Sequence, residues 1–282
     1  MVRYLRPATL EDALTALQEA GDNGRVLVGG TDLLVDVRRN PLSPSVLVDV
    51  KAVSDLPAAL VVTNDAVRIG PTATMSNIVA DATMQQWFPA LVASANVVGS
   101  VAIRNRATLV GNICNASPAG DTAPALLIYG ARVTIRGTAG DRTVPIGEFF
   151  TGPGQTLCAT GEIVTMVEIP RPPGGQRSAF QRLTRRRGVD LATVNVAASV
   201  DSDSNVSVGL GAVAPTPVFA QSSKSVDLTD NAAVRALAEE LTEVASPISD
   251  VRASEAYRRE MVTVLTVRAI QDAVNNEKAG VS

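Results

Sequence analysis

The chain has 282 residues, 46% of them hydrophobic, which is enough for more than one buried core. A formal net charge of -3 and an aromatic content of 3% leave no broad basic surface and few stacking platforms, which argues against a nucleic-acid partner. No apolar run approaches the roughly 18 residues of a membrane helix, so we expect no transmembrane segment and a cytoplasmic protein.

Strand and helix patterns alternate near the start of the chain. Thr9 precedes two acidic residues and an apolar stripe, which predicts a helix that ends near Gly21. Short apolar runs predict strands at 25–28 and 46–50, with a helix at 32–39 between them. This order is typical of a compact strand–helix–strand unit.

The middle of the chain predicts a hairpin, helices and further strands. A hairpin is expected over residues 60–70, and Thr74 is expected to cap a helix that runs to Met84. Residues 101–121 are polar, contain glycine and lack a clear period, which predicts a functional loop. The other predicted elements are a helix at 87–98, a helix end and strand at 126–136, and a strand at 162–169.

The last part of the chain predicts a hairpin followed by helices. A polar turn separates β-rich runs at 193–200 and 206–213, which predicts an antiparallel pair. Helical patterns follow at 232–245 and 254–274. Strands and helices in this mixed order indicate an α+β fold.

A linker divides the chain into two predicted domains. Residues 171–176 read Arg-Pro-Pro-Gly-Gly-Gln, which is typical of a connection between domains. We therefore place a first domain at 1–172, with subdomains at about 1–55 and 56–172, and a second domain at 173–282.

The chain lacks the residues of the commonest catalytic and metal sites. It contains no histidine, and Cys114 and Cys158 are far apart in the sequence. Nucleophile–histidine pairs and cysteine-ligated metals are therefore excluded, and we expect no catalytic residue and no metal site here. Each cysteine is expected to be a small buried residue. An organic cofactor is the usual source of chemistry in such a protein.

Three segments carry candidate binding residues. Residues 28–32, Val-Gly-Gly-Thr-Asp, lie between a predicted strand and helix, where paired glycines let the backbone approach an anion such as a pyrophosphate. In the second segment, Thr108 and Asn112 offer hydrogen bonds beside Gly111, and Asp121 offers an acceptor suited to sugar or ribityl hydroxyls. Alone, the first segment is more typical of an ordinary tight turn. The second is as typical of a hydrated loop as of a binding site.

The third segment is the one dense basic cluster, residues 180–187 (Phe-Gln-Arg-Leu-Thr-Arg-Arg-Arg). Such a run is typical of a solvated surface, and it is also typical of a strand whose alternate arginines face a ligand or a partner subunit. A single cationic strand does not distinguish these two interpretations.

Taken in order, the motifs resemble the flavoprotein medium subunit of the xanthine dehydrogenase and carbon monoxide dehydrogenase family. The matching segments are Val-Gly-Gly-Thr-Asp-Leu-Leu at 28–34, Ile-Gly-Pro-Thr-Ala-Thr at 69–74, Arg-Asn-Arg-Ala-Thr-Leu-Val-Gly-Asn at 104–112, Ser-Pro-Ala-Gly-Asp at 117–121 and Ser-Glu-Ala-Tyr-Arg-Arg at 254–259. Shorter matches are Glu-Ile at 162–163 before Glu-Ile-Pro at 168–170, and Arg-Arg at 185–186 before Asp-Leu-Ala at 190–192. The resemblance implies a vanillyl-alcohol-oxidase-type FAD-binding domain, followed by a smaller C-terminal domain with an antiparallel sheet and helices.

The resemblance also implies a set of FAD contacts. The pyrophosphate would lie against one stretch of backbone and a second group of residues, Asp121 would hold a cofactor hydroxyl, and Ile163 and Val164 would approach the adenine or flavin end. Gln181 and Arg182 lie where the family carries a lysine beside the flavin. The pyrophosphate set comprises Leu27, Val28, Gly29, Gly30, Thr31, Asp32 and Leu33 on one side, with Thr108, Gly111 and Asn112 on the other.

The sequence departs from the family pattern at particular positions. Val110 stands where a second glycine is usual, and Arg182 replaces the lysine. Thr31 and Asp32 replace the His-Ser of the best-known carbon monoxide dehydrogenases, which favours an organic substrate. The cysteines of members with an inserted iron–sulfur loop are missing, so no cluster is expected on this chain.

As a family member, the chain is expected to bind FAD non-covalently and to pass electrons from iron–sulfur clusters to an external acceptor. The molybdenum cofactor and the [2Fe-2S] clusters would lie on a large and a small partner subunit, in a dimer of heterotrimers. The substrate class would be N-heterocycles, purines or aldehydes. The alternatives are a stand-alone FAD oxidoreductase of the same fold and a flavin-free assembly protein.

Overall fold

The N-terminal part of the chain forms a parallel three-stranded sheet. The computed structural model describes residues 2–39, 44–224 and 226–275. The sheet has the order β1-β3-β2, and its core contains apolar side chains from the first helix and the central strand. The elements are β1 (Arg3–Leu5), α1 (Leu10–Ala20), β2 (Gly24–Leu27), α2 (Leu33–Arg39) and β3 (Val46–Asp49).

Local signals place the ends of these elements as the sequence predicts. The side chain of Thr9 accepts a hydrogen bond from the Asp12 amide at the start of α1, and Gly21 ends the helix with a φ of 54°. In contrast to α1, the helix α2 buries none of its side chains, and Leu34 and Val35 are exposed.

The middle of the chain forms an antiparallel five-stranded sheet, in the order β4-β5-β10-β6-β7, covered by short helices. Its strands are β4 (Leu60–Val62), β5 (Ala66–Ile69), β6 (Arg132–Gly137), β7 (Gly140–Pro145) and β10 (Ile163–Pro170), and β8 (Phe150–Gly152) pairs with β9 (Gln155–Thr156). The helices are α3 (Met75–Ala80), α4 (Ala82–Trp87), α5 (Pro89–Asn96), α6 (Val101–Arg104), α7 (Leu109–Cys114), α8 (Thr122–Ile128) and α9 (Ile146–Phe149).

Two predictions for this part are wrong in detail. The helix expected from Thr74 to Met84 is broken at Asp81, whose extended backbone and capping carboxylate end α3 and begin α4. The segment 101–121 is not one irregular loop, because Ser100 and Thr108 each cap a short helix within it. Each of these two helices is too short to show a clear apolar period.

The C-terminal part of the chain is a four-stranded antiparallel sheet, in the order β11-β12-β13-β14, with two helices on one face. These elements are β11 (Arg177–Leu183), β12 (Val194–Val200), β13 (Val206–Gly211), β14 (Val218–Ser222), α10 (Asn231–Leu241) and α11 (Glu255–Asn275). The opposite face packs on α5 and α8, so both faces of the sheet are covered and every residue of β12 is buried.

A glycine permits the close approach of the C-terminal sheet to the helices of the middle sheet. A Cβ at Gly209 would overlap the carbonyl oxygen of Pro124 on α8, so only glycine allows this spacing. Tyr129 and Ser178 add a hydrogen bond of 2.5 Å across the same contact, which we call the domain seam. The observed architecture confirms the predicted α+β class and the C-terminal antiparallel sheet.

Candidate cofactor site

The loop after β2 forms one wall of a groove. Gly29 lies so close to the segment before α7 that a Cβ at this position would overlap the carbonyl oxygen of Arg106. Gly30 has a φ of 71°, a conformation that favours glycine, and it turns the chain into α2. The predicted segments 28–32 and 104–112 therefore meet here, with backbone against backbone.

Backbone hydrogen bonds join the other wall of the groove. Thr74 and Thr108 form an isolated antiparallel bridge, in which the Met75 amide donates to the Ala107 carbonyl at 2.8 Å. The Leu109 amide returns a bond of 3.2 Å to the Ala73 carbonyl. The caps of α3 and α7 are thus fixed side by side at the groove.

Lys51 is held at the rim of the groove by two partners. Its Nζ donates to the Val28 carbonyl at 3.1 Å and lies 2.7 Å from Oδ1 of Asp49. Burial alone would raise the pKa of Asp49, but the hydrogen bonds from Lys51 and Tyr4 outweigh it and the pKa is lowered. Asp49 therefore stays ionised and keeps the lysine cation in place.

The lining of the groove suits an anionic, hydrogen-bonding ligand. The lining side chains include hydroxyls, an amide and two cations, and no carboxylate is among them. A pyrophosphate needs hydrogen-bond donors and positive charge close to the backbone, so the residues present fit FAD. The groove is lined by Val28, Gly29, Lys51, Thr72, Thr74, Asn105, Arg106 and Thr108.

Val110 stands where the family usually has a glycine, and its side chain leaves the groove open. The Val110 side chain is 4% exposed and packs in the core of the middle sheet, so it does not enter the groove. Gly111 is exposed, and a Cβ there would meet only the hydroxyl of Thr108. The loss of the second glycine therefore adds no bulk on the ligand side.

Hydrogen bonds join the start of α8, where Asp121 lies, to α7 and to the C-terminal sheet. Thr122 at the start of α8 donates to Oδ1 of Asn112 at 2.7 Å, which joins α7 to α8. Asp121 is 8% exposed and accepts a bond of 2.9 Å from the amide nitrogen of Asn195 on β12. Nε of Arg182 on β11 lies 3.1 Å from the same carboxylate oxygen, close enough for an ion pair but without the angle of a hydrogen bond.

The environment of Asp121 sets its protonation. Burial raises the pKa of this carboxyl to about 6, although Arg182 and Asn195 both act to lower it. The carboxylate is therefore the prevalent form at neutral pH, but it is sensitive to any loss of these two partners.

The arginines of the basic cluster have different surroundings. Arg182 is almost buried, donating to the Val97 carbonyl at 3.1 Å and to the Asp190 carbonyl. Arg185 pairs with the Asp190 carboxylate at 3.2 Å and is half-exposed, and Arg186 donates to the Val189 carbonyl. The cluster thus contains one buried cation at the domain seam and several that shape an exposed loop.

Of the predicted contacts, Val28, Gly29 and Thr108 line the groove, whereas Gln181, Ile163 and Val164 are among those that do not. The amide of Gln181 points to the opposite face of β11 from Arg182 and donates to Asp272 on α11 at 2.5 Å. Ile163 and Val164 are buried at the start of β10, where their side chains pack into the cores of the first and second sheets respectively. Their side chains are therefore enclosed in the protein core.

Sequence reasoning missed several residues that the structure brings to the site. Lys51 and Asn195 carried no motif, and Asn105 and Arg106 belonged to a quoted motif without an assigned role. The expectation of two buried cysteines is wrong for Cys114, which is exposed at the end of α7, and Cys158 is only partly buried. Within the described residues, no three His, Cys, Asp or Glu side chains are grouped so that they could hold a metal ion.

Two family models cover almost the whole chain. Residues 1–172 match the FAD binding domain in molybdopterin dehydrogenase, and residues 178–273 match the CO dehydrogenase flavoprotein C-terminal domain. The chain belongs to the flavoprotein subunits of the molybdenum hydroxylase family. The predicted resemblance and the expectation of an FAD-binding domain are confirmed.

Curated relatives match this chain over nearly all of their length. The flavoprotein subunit is 31% identical over 281 residues to the xanthine dehydrogenase FAD-binding subunit of Escherichia coli, covering 96% of this chain and 95% of that one. It is 30% identical to the carbon monoxide dehydrogenase medium chain of Afipia carboxidovorans, covering 96% of each. These relatives are subunits of molybdenum-dependent oxidoreductases, so the predicted enzyme class is also confirmed.

Solved structures share the fold of the flavoprotein subunit. A carbon monoxide dehydrogenase chain from Hydrogenophaga pseudoflava superposes with a TM-score of 0.89 at 25% identity, covering 97% of both chains. A chain of quinoline 2-oxidoreductase from Pseudomonas putida 86 gives 0.88 at 27% identity, covering 98% of both. None of the helices in the described ranges is long and apolar enough to cross a membrane.

Proposed function

We propose that this flavoprotein subunit relays electrons within a heteromeric molybdenum hydroxylase of the cytoplasm, from iron–sulfur clusters through FAD to an external acceptor. The observation that carries the proposal is the groove against Gly29, which is lined by donors without a carboxylate and lies in a domain of the FAD-binding type. The chemistry that FAD supplies when bound is electron transfer, either one electron at a time or two together.

We propose that the residues of the groove bind and orient the cofactor. The backbone from Leu27 to Leu33, including Val28, Gly29, Gly30, Thr31 and Asp32, would follow the pyrophosphate, with Thr108, Gly111 and Asn112 opposite. Lys51 would add positive charge from the rim, where Asp49 fixes it. The boundary between the FAD-binding domain and the C-terminal domain would fall between residues 172 and 173.

A second group of residues would hold the ribityl and flavin end. Asp121 would accept a hydrogen bond from a cofactor hydroxyl, because its carboxylate is the prevalent form at neutral pH. The backbone of Ile163 and Val164 would approach the adenine or flavin. Arg182 would lie beside the flavin as an ion-paired cation, and Gln181 would contribute through its backbone, since its amide is bonded to Asp272.

The relatives support a proposal for the partners and substrates. We propose a large subunit with the molybdenum cofactor and a small [2Fe-2S] subunit, joined as a dimer of heterotrimers. The substrates would be N-heterocycles, purines or aldehydes, because relatives include a xanthine dehydrogenase subunit, a nicotine 6-hydroxylase subunit and a glyceraldehyde dehydrogenase chain.

Flavin analysis of the purified full chain tests the proposal. We expect one FAD for each chain, released into the supernatant by acid precipitation, because histidine, the commonest covalent flavin attachment, is missing. Flavin that stays in the pellet would show a covalent link and contradict the non-covalent site. A chain that neither holds nor takes up FAD would instead be an assembly protein.

A further inference from the structure

Asn195 is a buried amide whose two ends have different partners. The residue is 0% exposed, and its nitrogen donates to the Asp121 carboxylate at 2.9 Å and to the Gly120 carbonyl at 3.3 Å. Its oxygen has no hydrogen-bond partner within the described structure and lies against Gly211, where a Cβ would overlap it. The opposite amide orientation would point an oxygen at a carboxylate and a carbonyl, so the charges fix the orientation.

This arrangement does not favour the stability of the folded chain. A buried carbonyl oxygen without a donor costs folding free energy, and an apolar side chain of similar volume would avoid that cost. Asn195 also requires a glycine on the neighbouring strand. Asn195 carries this folding cost and is directed at Asp121. It is therefore expected to have a role in the site to which Asp121 belongs.

The contacts of Asn195 cross the domain seam. Asn195 lies on β12 of the C-terminal sheet, whereas Gly120 and Asp121 precede α8. In the same loop, the Pro118 carbonyl accepts a bond of 2.7 Å from the Ala212 amide on the C-terminal side. The loop that presents Asp121 is therefore held from the C-terminal sheet.

We propose that Asn195 is a positioning residue of the flavin site, which aims the carboxylate of Asp121 and fixes the loop before α8 from the C-terminal sheet. The inference depends on the proposed contact between Asp121 and an FAD hydroxyl. Asn195 itself need not touch the cofactor. Its effect is to keep the acceptor ionised and oriented, so that correct docking of the C-terminal sheet and correct shape of the FAD site occur together.

The proposal predicts a particular pH dependence of FAD affinity. The charged side chain that faces Asp121 is that of Arg182. Neither the loop that contains Asp121 nor α8 carries another charged side chain. Burial raises the pKa of Asp121 to about 6, and Arg182 and Asn195 oppose that rise. A hydroxyl bonds more strongly to a carboxylate than to a carboxylic acid, so affinity should fall as the pH drops through this value. Without Asn195 the pKa rises further, and the fall begins at higher pH.

The experiment titrates FAD onto the full-length chain, stripped of flavin, between pH 5 and 8. For Asn195→Leu, which keeps the branched shape of the side chain but removes the donor, we expect the midpoint of the affinity change to move to higher pH. Affinity at pH 7 should fall about tenfold, the effect of losing one charge-assisted hydrogen bond. Asp121→Asn should bind FAD weakly and lose the pH dependence near pH 6.

A matched control separates positioning from general loosening of the seam. Ser178→Ala removes the Ser178–Tyr129 bond elsewhere at the same seam and should leave the midpoint where the wild type has it. An equal shift in Ser178→Ala, or no shift in Asn195→Leu, would overturn the proposal. If Asn195→Leu does not fold, Asn195→Ala replaces it, and failure of both to fold would assign Asn195 to stability alone and reject the inference. A wild-type chain without FAD affinity would refute the proposed function instead.

Discussion

Gly29 and Gly30 are adjacent in the sequence but are glycines for different reasons. Gly29 needs the absence of a Cβ because the Arg106 backbone carbonyl occupies that space. Gly30 needs a positive φ, and a Cβ there would meet flexible leucine side chains, Leu27 at 2.9 Å and Leu34 at 3.0 Å. The first requirement concerns the groove between two segments, whereas the second concerns the turn alone.

Substitution of Gly29 should therefore affect FAD more than substitution of Gly30. Gly29→Ala would push the loop away from the opposite wall of the groove, because the backbone carbonyl cannot move aside as a side chain can. We expect a loss of FAD affinity of tenfold or more, by equilibrium titration. Gly30→Ala should lower the free energy of unfolding by about 1 kcal/mol with a smaller change in affinity. Equal effects of the two variants on FAD affinity would mean that the loop is an ordinary turn.

The basic cluster shows how little a charge run reveals before the fold is known. Arg182 and Arg187 are indistinguishable as letters in the run. The structure makes Arg182 a buried partner of Asp121 at the domain seam, while Arg187 is exposed at the tip of the loop. Burial decides which of them can influence a bound cofactor, because an exposed charge is screened by water.

At the scale of elements, α11 organises the C-terminal part of the chain through one buried arginine. Arg258 is 2% exposed and donates to the carbonyls of Thr193 at 2.6 Å and Ala212 at 2.9 Å. It also donates to Asp250 at 2.7 Å, and although burial acts to raise the pKa of Asp250, hydrogen bonds from Arg252 and Arg258 lower it overall. One side chain thus ties α11 to two strand ends and to the loop before the helix.

Removal of Arg258 should destabilise the chain strongly. Arg258→Leu leaves two buried carbonyls without donors and takes a cation from Asp250, for which we expect a loss of about 3 kcal/mol or more. Its neighbour provides the control, since Arg259 makes an exposed pair with Glu255 and Arg259→Leu should cost less than about 1 kcal/mol. Urea unfolding of both variants measures the difference. Similar midpoints would show that Arg258 does not hold these elements together.

At the scale of the whole molecule, the chain contains an FAD-binding domain, and its sequence carries no histidine that could activate water. We therefore expect the isolated, FAD-loaded subunit to leave purines, aldehydes and N-heterocycles unoxidised, while the complex purified from the native host turns over its substrate. Metal analysis of both samples and steady-state assays compare them. Robust turnover by the metal-free chain would establish the stand-alone oxidoreductase and remove the need for partner subunits.

The sequence alone determined the class of the fold, the order of most elements and the family. Local signals suffice for these, as with the Thr9 cap of α1 and the hairpin turn between β4 and β5. The ordered set of motifs predicted the family because the segments at 28–34, 104–112 and 117–121 together are far more specific than any one of them. Where local signals were short, as in the six-residue helices α3 and α4, the predicted boundaries were wrong.

Only the tertiary structure decided which residues meet. Gly29 contacts Arg106, and Asp121 contacts Arg182 and Asn195, across separations that no sequence period spans. Asn195 stands in an apolar strand and has no motif around it, so its direction toward Asp121 depends on how β12 docks against α8. The pKa of Asp121 follows from the same docking, because burial and neighbouring charges are properties of the packed molecule and not of the residue type.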